Sequence, residues 1–97
     1  MLLEVITPDE LLYKGNVNHV VLPGLDGQFG VLNLHAPMIS ALAKGSVKVD
    51  QKVSENNNTE LYNGKLNAKH KSDASFTFEI NGGVIEIKDN KIMVLAE

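Results

Sequence analysis

The sequence predicts an all-β domain of short antiparallel strands, and three observations carry that prediction. Apolar and polar residues alternate with a period of two over short runs. Gly, Pro, Asn and Asp punctuate those runs every 8 to 12 residues or so, the rhythm of a sandwich or a barrel rather than of alternating βα units. No stretch holds a 3.6-residue apolar period for three turns. Inward-facing Val, Ile, Leu and Phe would then fill a core between two sheets about 10 Å apart.

Residues 2–7 alternate as a first strand, stopped by Pro8-Asp9; residues 11–14 continue, with Gly15-Asn16 read as a turn before a strand at 17–22. On that strand Val17, His19 and Val21 should share one face and Asn18, Val20 and Leu22 the other, so both faces are partly covered. Residues 22–37 are the most informative stretch. Gly24, Gly27 and Gly30 recur at a spacing of three and mark structural turns, where a missing Cβ permits positive φ or close approach of neighbouring chain. Pro23 and Pro37 fence the segment, and Leu25, Phe29, Val31, Leu32 and Leu34 make it too apolar for a solvated loop, so the corner should be packed.

Residues 37–44 read as extended, ended by Gly45, and Val47 and Val49 then alternate with Lys48 and Asp50 as a half-buried strand. Residues 51–75 are rich in Asn, Lys, Glu and Ser, and their Asn63-Gly64 pair predicts an inserted polar hairpin. Phe76, Phe78 and Ile80 restore the period of two, Asn81-Gly82-Gly83 turns the chain, and Asp89-Asn90 is read as a tight hairpin turn between strands at 84–88 and 91–96. The whole chain, 1–97, is thus one domain.

Composition excludes several functions. The chain has no cysteine, so disulfide and thiolate chemistry are absent. Its net charge is −3 and all nine basic residues are lysine, which removes the bidentate grip of arginine on phosphate and argues against nucleic-acid binding. No apolar run approaches the roughly 20 residues of a membrane span, so direct membrane insertion is not expected.

The glycine spacing invites a phosphate-loop reading, yet Lys44-Gly45-Ser46 lacks the Gly-Lys-Ser/Thr order and no helix opens after Gly30. Neither a nucleotide nor another cofactor is expected. His19, His35 and His70 have no metal-ligand spacing; His19 reads as half buried beside a partner, and His70 between two lysines as solvated. Ser40, His35 and Asp26 could be written as a triad, but nothing builds a nucleophile elbow, so no catalytic residue is assigned. Asn57-Asn58-Thr59 matches a glycosylation acceptor without a secretion signal before it.

Leu22-Pro23-Gly24, Gly27-Gln28-Phe29-Gly30-Val31-Leu32, His35-Ala36-Pro37 and Lys44-Gly45 closely resemble the fingerprint of the epsilon subunit of F-type ATP synthase, the equivalent of mitochondrial delta. Leu3 to Thr7 is similar to the family's opening strand, and Gly82-Gly83-Val84-Ile85-Glu86-Ile87 with Val94-Leu95-Ala96 to its closing pair. The resemblance implies a ten-stranded antiparallel β-sandwich, here without the family's C-terminal inhibitory helical hairpin, because the sequence stops at Glu97. It departs from the family at Asn33-Leu34, where Pro-Gly is usual.

What the resemblance implies about function is a non-catalytic rotor subunit that links the gamma subunit to the c-subunit ring and reaches the alpha/beta catalytic head only indirectly. Its place would be peripheral, on the cytoplasmic face of a bacterial membrane. Carried onto this chain, Asp26, Gly27 and Gln28 would meet the c ring, and Thr7, Pro8, His35, Pro37, Met38 and Ser40 would face gamma. Met38 could equally fill the core. The alternative is a free-standing sandwich module that binds a ligand or peptide, for which the five aromatics are few and Phe29, Phe76 and Phe78 read as internal.

Overall fold

A computed structural model describes residues 1–51 and 75–97. They form eight strands: β1 (Leu2–Ile6), β2 (Leu11–Gly24), β3 (Gly27–Leu32), β4 (Met38–Leu42), β5 (Gly45–Gln51), β6 (Ser75–Ile80), β7 (Gly83–Lys88) and β8 (Lys91–Ala96). The all-β reading holds, with eight strands among the described residues where ten were expected. The hairpin expected around Asn63-Gly64, the Asn57-Asn58-Thr59 sequence and His70 lie outside the described residues.

The strand order is β1-β8-β7-β4-β2-β5-β6, with β3 on β2 and a further β1–β2 pairing. Strand β2 belongs to both layers. Its first half pairs with β1, and its second half lies between β3 and β5. One layer is therefore β4-β7-β8-β1 with the start of β2, and the other is β3-β2-β5-β6. Gly24 opposite Leu42 ties the layers again at the far end of β2. The described pairings are antiparallel except β1–β8, which is parallel from Leu2 opposite Lys91 to Ile6 opposite Leu95.

The continuity of β2 corrects the expected turn at Gly15-Asn16. Those residues lie opposite Leu3 and Leu2, so the β1 ladder holds the backbone extended and overrides the local turn preference. The alternation expected on residues 17–22 is also corrected. Val17 lies opposite Gln51 but His19 opposite Asp50, which leaves Asn18 as an extra residue, a β-bulge. That single insertion moves Val20 and Leu22 onto the same inward side as Val17, and all three are fully buried. A second irregularity sets Val5 opposite Tyr13 and Ile6 opposite Leu11, so that Leu12 and Tyr13 are buried in succession.

Between the layers, Leu3, Val5, Ile85, Ile87, Ile92 and Val94 from one side pack with Val20, Leu22, Val31, Val47, Val49, Phe76 and Phe78 from the other as one cluster. Tyr13 carries the polar anchor of this core. Its ring lies 5.1 Å from that of Phe76, and its hydroxyl donates to Gln51 Oε1 at 2.8 Å, Gln51 being the one buried polar side chain among the described residues. Tyr13→Phe keeps the ring and removes that bond. It is expected to cost about 1 kcal/mol in chemical denaturation with an unchanged m-value.

The expected tight turn at Asp89-Asn90 is present. Lys88 pairs with Lys91, and both intervening residues have positive φ, 53° and 60°, the conformation of a type I′ hairpin.

Candidate functional site

The tip assigned to the c ring by resemblance is the β2–β3 hairpin. Gly24 stands opposite Gly27, with Leu25 and Asp26 as the two-residue loop, and Asp26, Gly27 and Gln28 are all exposed. Gly27 has φ of 123°, a conformation side-chain-bearing residues avoid, in open space. Gly27→Ala is accordingly expected to cost about 1 to 3 kcal/mol by backbone strain alone, read as a lower thermal midpoint with unchanged far-UV circular dichroism. The other two glycines act by close approach instead. A Cβ on Gly24 would lie 2.8 Å from the Gly27 carbonyl oxygen, and one on Gly30 would lie 2.7 Å from His19 Nε2. Gly30 is thus inside a strand rather than at a turn.

His19 is half-buried beside a partner, as its place in a strand predicts. Its Nδ1 lies 3.5 Å from Asp50 Oδ2 on β5, while its Nε2 faces Gly30 on β3. The imidazole therefore spans three strands on the outer side of the second layer.

The expectation of a packed corner is corrected. Val31 is buried and Phe29 packs partly against the core, but Leu25 is 68% exposed and Leu34 78%, with Leu32 also exposed. Among the described residues β3 pairs only with β2, so the side chains it turns outward meet no covering strand. Among the described residues the core does not use their apolar surface.

The residues assigned to gamma do not form one cluster. Thr7 and Pro8 follow β1 in a turn closed by the Thr7 amide donating to the Glu10 carbonyl at 2.9 Å. His35 and Pro37 lie at the opposite end of the same layer, before β4, where the His35 Nδ1–H donates to the Ala36 carbonyl at 2.7 Å. Met38 and Ser40 pair with buried Ile87 and Ile85 and so point to the core side; Met38 packs partly against the core.

Between these ends lies a surface that no sequence motif marks. Ala41 stands opposite Val84, Val84 opposite Leu95, Leu95 opposite Ile6, and Ile6 opposite Leu11. Paired residues share a side of the sheet, so these five apolar side chains form one row across five strands, roughly 19 Å long at the usual strand spacing. Leu11, Val84 and Leu95 are exposed, and Ile39, on the same side of β4 as Ala41, is 71% exposed. The neighbouring row mixes Ile39, Met93, Glu86 and Glu4, the last paired with Lys91 Nζ at 3.2 Å. A signal for this face exists in the sequence. Met38-Ile39, Val84-Ile85 and Val94-Leu95 are apolar at both parities, which a sheet with one solvated face does not require.

Comparison with known proteins places this arrangement in a family. The family described as "ATP synthase, Delta/Epsilon chain, beta-sandwich domain" matches residues 1–62. A protein named ATP synthase epsilon chain from Chlorobium limicola is 35% identical over 95 residues, spanning 98% of this chain and 86% of that relative. One from Nitratidesulfovibrio vulgaris strain DP4 is 40% identical over 95 residues, but there the chain covers 56% of the relative's length. It likewise covers 57% of the 32% identical relative from Desulforamulus reducens. Among solved structures, a chain of the Euglena gracilis mitochondrial ATP synthase shares the fold at TM-score 0.70 and 20% identity, over 99% of this chain and 49% of that one. A chain from the central stalk and c-ring structure of the Tetrahymena thermophila mitochondrial ATP synthase does so at TM-score 0.66 and 12% identity, over 99% and 62%. This chain belongs to the ATP synthase delta/epsilon chain family.

Proposed function

We propose that this chain is a non-catalytic central-stalk subunit of an F-type ATP synthase, joining the gamma subunit to the c ring and turning with both. Family membership supports the assignment, and so does a shared fold with a chain described in a central stalk and c-ring assembly. The observation that carries the docking role is the exposed apolar row from Ala41 to Leu11, with Ile39 beside it. Solvent gains nothing from such a row, whereas a partner covering it would gain about 25 cal/mol per Å² of apolar surface.

Gamma is the partner assigned to this face, because Thr7 and Pro8 follow Ile6 in the chain at the margin of the row and Pro37 leads into Ile39. The β2–β3 tip is assigned to the c ring; it stands at the same end of the sandwich as the row, since Gly24 pairs with Leu42 next to Ala41. The subunit would be peripheral to the membrane, on its cytoplasmic face, held there by the ring. Among the described residues no helix is long and apolar enough to cross a membrane.

The test is size-exclusion chromatography of the chain with its gamma subunit, then with gamma and the c ring. Co-elution with gamma supports the reading, and separate elution overturns it.

A further inference from the structure

The segment 33–37, which carries His35 and Pro37 into β4, has no strand pairing of its own. What fixes it is a pair of amide side chains far apart in sequence. Asn90 Nδ2 donates to Asn33 Oδ1 at 2.8 Å, and the Leu34 amide donates to Asn90 Oδ1, also at 2.8 Å. Asn33 Oδ1 further lies 3.5 Å from the Met1 nitrogen, and the Asn90 carbonyl accepts from the Leu2 amide at 3.2 Å. Both polar atoms of the Asn90 side-chain amide are therefore engaged by the loop, while its backbone is held by β1 and the type I′ turn.

Leu34 makes this arrangement informative. It has φ of 62°, a conformation that is uncommon for a residue with a Cβ, and at 78% exposed it has little packing to hold it there. Its backbone amide is bonded outside the loop, to Asn90 Oδ1. Asparagine suits position 90 on two counts, since it tolerates the φ of 60° that the hairpin turn requires and offers one donor and one acceptor to the facing loop.

We infer that Asn33 and Asn90 are positioning residues, a side-chain clamp that holds the loop carrying His35 and Pro37 in the shape it presents to a protein partner. The identity of that partner rests on the gamma reading above. The clamp itself does not. Because its bonds are exposed, it adds little to global stability; its effect is on how much of the population has the loop in place. A partner that binds only the ordered loop has its affinity lowered by the fraction of chains in which the clamp is open.

The experiment compares wild type with Asn33→Ala, Asn90→Gly and the double variant in the full chain, glycine being used at 90 because it keeps the positive φ. Amide hydrogen exchange of Leu34 in the isolated chain reads the clamp without any partner. Protection in wild type that is lost in Asn90→Gly supports the inference, and equal exchange in the two overturns it. Calorimetric titration with gamma reads the consequence. Asn90→Gly should bind about tenfold more weakly, the double variant no worse than Asn90→Gly alone, and both with a thermal midpoint within a few degrees of wild type. Unchanged affinity, or weakening matched by a general loss of fold, refutes the positioning role. If wild-type chain fails to bind gamma at all, it is the rotor reading that falls, and the exchange result alone decides the clamp.

Discussion

Gly83→Ala is expected to leave little folded protein. Gly83 opens β7 with φ of 150°, and a Cβ built there would lie 2.2 Å from the Leu95 carbonyl oxygen and 3.1 Å from the Ala96 Cα. Neither contact can relax by rotating a side chain, because both atoms are backbone. Relief requires β8 to move away from β7, and Gly83 is paired there with Ala96 while Leu42 of β4 lies on its other side. Strain at a forbidden φ adds to the clash, so the cost should exceed about 4 kcal/mol, against the roughly 5 to 15 kcal/mol that hold a domain of this kind together. A thermal scan should show the midpoint lowered by more than about 16 °C, or no cooperative transition. A midpoint within a few degrees of wild type would mean that the strand pair is looser than the register implies.

Ile39→Lys combined with Leu95→Lys should do the opposite, leaving the fold intact and abolishing association. Both positions are exposed, and a lysine at 39 stands opposite Glu86, so stability should change by no more than about 0.5 kcal/mol per site. Under a docked partner the ammonium at 95 would lose water without a counter-charge in the apolar row, and the one at 39 would be buried with Glu86, a desolvated pair where the partner requires an apolar contact. Loss of two central anchors should weaken gamma binding at least about 100-fold, to be read by calorimetric titration beside an unchanged thermal midpoint. Wild-type affinity in this variant would remove the row from the interface.

Much of this molecule was legible from its residues, and the illegible parts share a cause. Strands β4 through β8 arise from local alternation and turn chemistry, as does the Asp89-Asn90 hairpin. The Gly15-Asn16 position misleads because turn preference is local, whereas the ladder with β1 that overrides it joins the two ends of separate strands. The inward set on β2 misleads because one unpaired residue, Asn18, reverses the parity of the strand beyond it, and a bulge has no composition of its own.

The corner at residues 22–37 shows the same limit for function. Its apolar content was visible, but whether Leu25, Leu32 and Leu34 face inward depends on how many strands flank β3. The row from Ala41 to Leu11 was hidden for a similar reason: its members come from five strands and become neighbours only through register.

Strand β2 has a mechanical consequence. Its 14 residues measure about 46 Å along the backbone, more than the 33 Å longest extent of the domain, so it must curve as it passes from one sheet to the other. A load applied at its hairpin end is therefore carried by covalent bonds through both layers to the turn beyond β1, and the ladders on its flanks are sheared together instead of peeled one by one. Sheets joined by side-chain contact alone could slide past one another under a shearing load; here such sliding would have to bend one continuous strand out of both its ladders.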